Sequence, residues 1–239
     1  MLNARREVRA LLPILALGLG SCAGTHDWPM LGRDGSRNAA TAERNPPTSW
    51  SLKRGAERNV AWKADLGHYT LTSPVVADGL VWVGTSHDEF SPAQAGLLRC
   101  FRARDGTLLW EHRFPLRPGL ATESRGFFSA LRASPAVEGD RLWLLDNRWE
   151  VTCLDIGPLK RGTGEPRVVW KVDLIDRLKV WPEMPGMSFS NGCSIAAPLR
   201  GRIYVSTGNG PSWETQRPGN PAAPALICLD AATGEILAR

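Results

Sequence analysis

One motif occurs three times at a spacing of just over sixty residues, and this repetition restricts the chain more than any other feature. The first copy is Ser73-Pro74-Val75-Val76-Ala77-Asp78-Gly79-Leu80-Val81-Trp82-Val83-Gly84-Thr85. The second is Ser134-Pro135-Ala136-Val137-Glu138-Gly139-Asp140-Arg141-Leu142-Trp143-Leu144-Leu145, and the third is Ala197-Pro198-Leu199-Arg200-Gly201-Arg202-Ile203-Tyr204-Val205-Ser206-Thr207. Pro74 and Pro135 stand 61 residues apart, Pro135 and Pro198 63. Each copy is a short apolar run, a glycine turn and a second apolar run with an aromatic, which is the pattern of a β-hairpin.

A second half-motif follows each hairpin. Leu98-Arg99-Cys100-Phe101, Asp105-Gly106 and Leu108-Leu109-Trp110 form the first copy. Val151-Thr152-Cys153-Leu154-Asp155 with Val168-Val169-Trp170 form the second, its turn expanded by Gly157 to Arg167. Leu226-Ile227-Cys228-Leu229-Asp230, Thr233-Gly234 and Glu235-Ile236-Leu237 form the third. Asp and Gly suit such turns because they tolerate left-handed and Asx conformations. Each unit therefore supplies four short antiparallel strands, and four strands per repeat of ~40–60 residues make a propeller blade. The expected fold is all-β, an incomplete β-propeller of about three blades at about 59–115, 127–175 and 189–239, truncated at its C-terminus, since three blades cannot close a ring. An open array closed by oligomerisation is the alternative.

The composition fits. Ten of the 18 aromatic residues are Trp. Trp62, Trp110 and Trp170 are expected to end blade-closing strands, where a flat ring can pack on the next blade. Cys100, Cys153 and Cys228 hold one place in successive units, which separates them by a blade and beyond disulfide reach. They read as small buried hydrophobes; Cys193 has no counterpart.

The formal net charge is +5. Arg5, Arg6 and Arg9 against Glu7 place +2 of it in the first 21 residues. The rest has no Lys/Arg block, so the electrostatic footprint of a nucleic-acid binder is missing. The basic start and the apolar run Ala10 to Gly20 make a secretory signal, too short to span a bilayer. Leu19-Gly20-Ser21-Cys22 resembles a bacterial lipobox. That resemblance implies a signal peptide over 1–21, cleavage before Cys22 and lipidation there. With Ala23 next, it implies an anchor at the periplasmic face of the outer membrane, or else a periplasmic protein. Residues 22–58 then form a lead-in and 59–239 the blades.

The unit as a whole resembles the PQQ-binding-like β-propeller repeat of the quinoprotein alcohol dehydrogenase-like superfamily. His26-Asp27-Trp28-Pro29-Met30-Leu31-Gly32-Arg33-Asp34-Gly35-Ser36-Arg37-Asn38 and Asn59-Val60-Ala61-Trp62-Lys63 resemble the openings of such proteins. The resemblance implies two readings. One is a non-catalytic, membrane-anchored scaffold of the cell envelope that binds a protein or a carbohydrate and needs no cofactor. The other is a fragment of a PQQ- and calcium-dependent dehydrogenase acting on alcohols or sugars. For the second, Tyr204-Val205-Ser206-Thr207-Gly208-Asn209-Gly210-Pro211-Ser212-Trp213 is similar to the segment that supplies a calcium-ligating Asn beside PQQ, so Asn209 is the candidate ligand. The adjacent Cys-Cys pair of those enzymes is missing and no Glu can be matched to the second ligand. Gly208-Asn209-Gly210 also reads as an ordinary turn. His87-Asp88-Glu89 alternate sides on an extended chain and read as a solvated loop. The four His show no metal spacing. No nucleophile elbow, P-loop or Cys-x-x-Cys occurs. Trp181-Pro182-Glu183-Met184-Pro185-Gly186-Met187 is a long inter-strand insertion.

Overall fold

The computed structural model describes residues 27–87, 95–117, 130–180, 194–207 and 220–239. Three antiparallel sheets follow one another along the chain. The first contains β1 (Val75–Ala77), β2 (Leu80–Ser86), β3 (Ala95–Arg102) and β4 (Leu108–Pro115), in that spatial order. The second contains β5 (Ala136–Glu138), β6 (Arg141–Leu145), β7 (Glu150–Asp155) and β8 (Arg167–Asp173). The third contains β9 (Arg202–Ser206), β10 (Leu226–Asp230) and β11 (Ile236–Ala238). The repeat is thus a four-stranded blade twice over.

In the third unit the inner strand shrinks to one bridge, Leu199 with Arg202. Counting back from that bridge puts Pro198 opposite Ile203, the place held by Val76 and Val137 in the other sheets. Proline has no N–H to give to a ladder and confines its segment to edges. The expected four strands are therefore three among the described residues.

The register repeats closely. Trp82 pairs with Cys100 and Cys100 with Trp110. Trp143 pairs with Cys153 and Cys153 with Trp170, and Tyr204 pairs with Cys228 and Cys228 with Ala238. A bulge follows each of the three cysteines, between Cys100 and Phe101, Cys153 and Leu154, and Cys228 and Leu229. A bulge at one place in every unit bends each sheet alike. Ala238 takes the place of the closing Trp in the third unit.

The sheets pack face to face in chain order. Trp82, Leu98 and Cys100 of the first sheet meet Leu142, Leu144 and Leu154 of the second. The other face of the second, with Trp143, Leu145, Val151 and Cys153, meets Ile203, Val205, Ile227 and Leu229 of the third. Alternation along each strand sends successive side chains to opposite faces, so one strand serves two cores. A fully buried Leu or Ile in such a core contributes about 1.5–3 kcal/mol. Cys100, Cys153 and Cys228 are buried free thiols, as the repeat requires. Burial pushes the Cys100 thiol up to about 12 and that of Cys153 to about 11.

Two tryptophans lock sheets through glycine turns. Trp170 donates from Nε1 to the Ala231 carbonyl, 3.1 Å, and its ring covers Gly234. Trp62 donates to the Ala103 carbonyl, 2.7 Å, and covers Gly106. Its ring also stacks on Phe101, with centroids 6.2 Å apart. None of the three expected tryptophans ends a strand: Trp110 and Trp170 lie inside β4 and β8, and residues 59–66 around Trp62 pair with no described strand. Trp110 differs again. The Asp/Gly turn it would meet in the second sheet is replaced by helix α1 (Gly157–Lys160), so its ring meets His112 and Trp82 instead.

Serines join the blades where the chain approaches each inner strand. The Ser73 N–H donates to Ser134 Oγ, 2.9 Å, and the Ser134 N–H to Ser194 Oγ, 3.0 Å. The lead-in crosses the same region. Trp28 pairs with Val76, the Val137 N–H donates to the Pro29 carbonyl, Met30 is buried, and an Arg37 Nη donates to the Ser194 carbonyl, 3.2 Å. Proline at 198 leaves the third sheet without the donor that Val76 and Val137 offer to this segment.

Candidate functional site

Each β2-type strand runs from its hairpin turn toward a connection with the next strand, and that connection is where the candidate residues fall. Register equates Thr85, Asp146 and Thr207, three residues past the aromatics Trp82, Trp143 and Tyr204. All three are polar and buried. Thr85 Oγ1 donates to the Leu66 and Tyr69 carbonyls, and Thr207 Oγ1 to that of Pro224. Those hydroxyls tie down long connections.

The second sheet has a tight connection, Asp146-Asn147-Arg148-Trp149, and a carboxyl replaces the hydroxyl. Asp146 Oδ1 accepts from the backbone N–H of Arg148, 2.8 Å, and of Glu150, 2.9 Å. Oδ2 is buried with no partner among the described residues, as is Trp149 Nε1. Trp149 holds φ at +66°, in the left-handed region where a bulky residue is strained. Glu150 is also buried, with Lys171 Nζ 2.7 Å from one oxygen and Arg148 Nε 3.4 Å from the other. Asn147 donates to the Phe114 carbonyl of the first sheet, 3.1 Å, which locks the turn between blades. Loss of water on burial pushes the Asp146 carboxyl up to about 7, and the neighbouring Glu150 adds to the rise. This turn keeps a carboxyl protonated well above the usual carboxylate range, with Oδ1 fixed by the backbone and Oδ2 left over for one further hydrogen bond.

The opposite ends of the blades carry the hairpin turns. A cavity of about 970 Å³ lies there between the lead-in and the first two sheets, with Asp27, Arg33, Asp78, Glu138, Asp140 and Lys160 around it. Lys160, from α1, reaches both turns: its Nζ is 2.8 Å from Asp78 and 3.0 Å from Asp140, and donates to the Gly139 carbonyl, 3.0 Å. Arg161 adds a second contact to Asp140, 2.8 Å, and the two cations lower the Asp140 carboxyl below its usual range.

Asn209, Cys22, Cys193, Asp88, Glu89 and the 181–187 insertion lie outside the described residues. Among the described residues no group of three or more His, Cys, Asp or Glu could hold a metal ion. Sequence reasoning passed over Asp146 and Lys160. Asp-Asn-Arg-Trp reads as a plain turn, and the one available signal was its alignment with Thr85 and Thr207 once the aromatics are matched.

A family model described as "Outer membrane protein assembly factor BamB" matches residues 29–158. No curated protein matches the chain. Among solved structures, quinohemoprotein alcohol dehydrogenase from Comamonas testosteroni is 16% identical with a TM-score of 0.56, covering 88% of this chain and 26% of that enzyme. A europium-containing methanol dehydrogenase is 13% identical with a TM-score of 0.54, covering 89% of this chain and 31% of the other. BamB from Moraxella catarrhalis is 15% identical with a TM-score of 0.41, covering 77% and 42%. The chain spans less than half the length of each. At these identities the likeness to the two dehydrogenases establishes a common β-propeller fold.

Proposed function

Since the matched model covers more than half of it, this chain belongs to the PQQ-like β-propeller repeat family, and on that premise we propose that it is a propeller scaffold of the bacterial envelope that binds a protein partner. The observation that carries this reading is the match over residues 29–158, the lead-in and the first two sheets, to a family described as an outer-membrane assembly factor. The lipobox-like Leu19-Gly20-Ser21-Cys22 supports export and an anchor at Cys22, at the periplasmic face of the outer membrane. A carbohydrate is the alternative ligand. The polar side chains at the strand ends support a structural role, because Thr85, Asp146 and Thr207 spend hydrogen bonds on the backbone around them.

A second reading is a piece of a PQQ- and calcium-dependent dehydrogenase. Its support is the likeness of the segment around Asn209, two residues beyond Thr207 in the sequence, to a calcium-ligating segment. PQQ with calcium would supply a quinone electron acceptor polarised by a hard cation. Asn209 would then act only as an oxygen ligand.

One experiment separates the two. The protein is purified from its source membranes, and its mass, its co-purifying partners and its PQQ- and Ca²⁺-dependent dye reduction with alcohols and sugars are measured. A stoichiometric outer-membrane assembly partner with no dye reduction supports the scaffold. Dye reduction lost in Asn209→Ala overturns it in favour of the dehydrogenase.

A further inference from the structure

We propose that the hairpin-turn end of the blades faces the membrane and that the opposite end, where β2, β6 and β9 run out, points away from it. The proposal rests on the anchor at Cys22 and adds an orientation to it.

The first link is where the lead-in is held. Trp28 exchanges two backbone hydrogen bonds with Val76, 2.7 and 2.9 Å, in antiparallel sense. β1 runs toward its turn, so the chain followed backward from Trp28 leaves past that turn. Asp27 confirms the direction, since its Oδ2 accepts from the Asp78 N–H, 3.4 Å. The second link is that this exit cannot swivel. The Val137 N–H donates to the Pro29 carbonyl, 2.8 Å, and Met30 is buried in the core between the second and third sheets. Two sheets therefore hold three consecutive residues.

The third link is reach. Cys22 lies five residue steps before Asp27, and even fully extended those steps span at most ~18 Å. β2 alone is seven residues long, so the far end of the blade lies more than ~20 Å beyond the turn. A lipid on Cys22 thus brings the turn end to the bilayer and leaves the other end outside its reach. Charge does not oppose this. The turns carry Asp78 and Asp140 but also Arg200, so neither sign dominates and the tether decides.

The test uses the lipidated full chain, Cys193→Ser, in phosphatidylethanolamine/phosphatidylglycerol vesicles that carry a headgroup-linked energy acceptor. Glu138→Cys marks the turn end and Arg177→Cys the far end; both side chains are exposed. Glu165→Cys, exposed in the connection between β7 and β8, repeats the turn-end reading in case Glu138→Cys misfolds. Donor quenching is expected to be about twofold stronger at 138 and 165 than at 177, because the ends differ in height by ~20 Å. Equal or reversed quenching on acylated protein overturns the orientation and leaves the anchor standing. A mass without acyl groups overturns both.

Discussion

Gly234 and Trp170 give the sharpest test of how the blades are locked. Gly234 holds φ at +75°, and a Cβ placed there would stand 2.7 Å from two carbons of the Trp170 ring. Normal carbon contacts begin near ~3.5 Å, so Gly234→Ala must move the ring. Trp170 is buried, and its Nε1 donates to the Ala231 carbonyl, 3.1 Å. The backbone part of the change costs about 1–2 kcal/mol, the penalty of a left-handed L-residue. Displacing the ring adds about 1 kcal/mol for the hydrogen bond and about 1–3 kcal/mol for overpacking. Gly79 and Gly201 supply the control: their φ values are +74° and +73°, and nothing lies within 4 Å of a Cβ there. Alanine at either should lose only the backbone part. Urea unfolding of the full chain should therefore place Gly234→Ala about 2–4 kcal/mol below Gly79→Ala. Gly106→Ala, where Trp62 stands 2.5 Å from the added Cβ, should behave like Gly234→Ala. In a Trp170→Ala background the excess should vanish. If Gly234→Ala costs no more than Gly79→Ala in the native background, the ring does not clamp the turn and the argument fails.

Other consequences follow from charge and burial. Asp146 has a folded pKa near 7, raised above its unfolded value, so the folded state holds a proton that the unfolded chain releases. Stability should fall as pH rises from about 4 to 7, and Asp146→Asn should flatten that slope in denaturant titrations at several pH values. His112 is lowered by burial and then by Lys171, so its contribution runs the other way, lost as pH drops below the ordinary imidazole range; His112→Gln should remove that acid-side loss. Cys100, Cys153 and Cys228 should react with a thiol reagent only after denaturation; fast labelling of the native chain at any of them would contradict the packing. Lys160→Met should lower stability by about 1 kcal/mol, less in high salt, because its ammonium joins the turns of two blades.

Much of this fold was legible because strand alternation and turn residues repeat together. Asp78-Gly79 and Gly139-Asp140 fixed two hairpins, and the recurring cysteine fixed the third strand of each unit. Pro198 broke the pattern: it reads like Pro74 and Pro135, yet the shorter third hairpin moves it into the strand, where its missing N–H counts. α1 escaped because Gly157-Pro158 in an expanded turn reads as loop, whereas Pro158 in the first turn of a helix is well tolerated. Asp146 escaped for a different reason. Its role depends on burial between two sheets, which no local spacing encodes.

The lead-in changes how such a chain should fold. Repeat arrays contact only their neighbours, so their stability behaves as a sum of local terms and folding can start anywhere. The bond from Arg37 to the Ser194 carbonyl spans 157 residues, and the contacts of Trp28 and Pro29 join two sheets across more than forty. Such long closures become favourable only after the sheets they link already exist. The sheets should therefore form early from hairpin contacts, and the N-terminal strap should dock last. Slow strap docking would convert three semi-independent blades into one cooperative unit. Removing residues 27–40 should then broaden the unfolding transition rather than merely shift it.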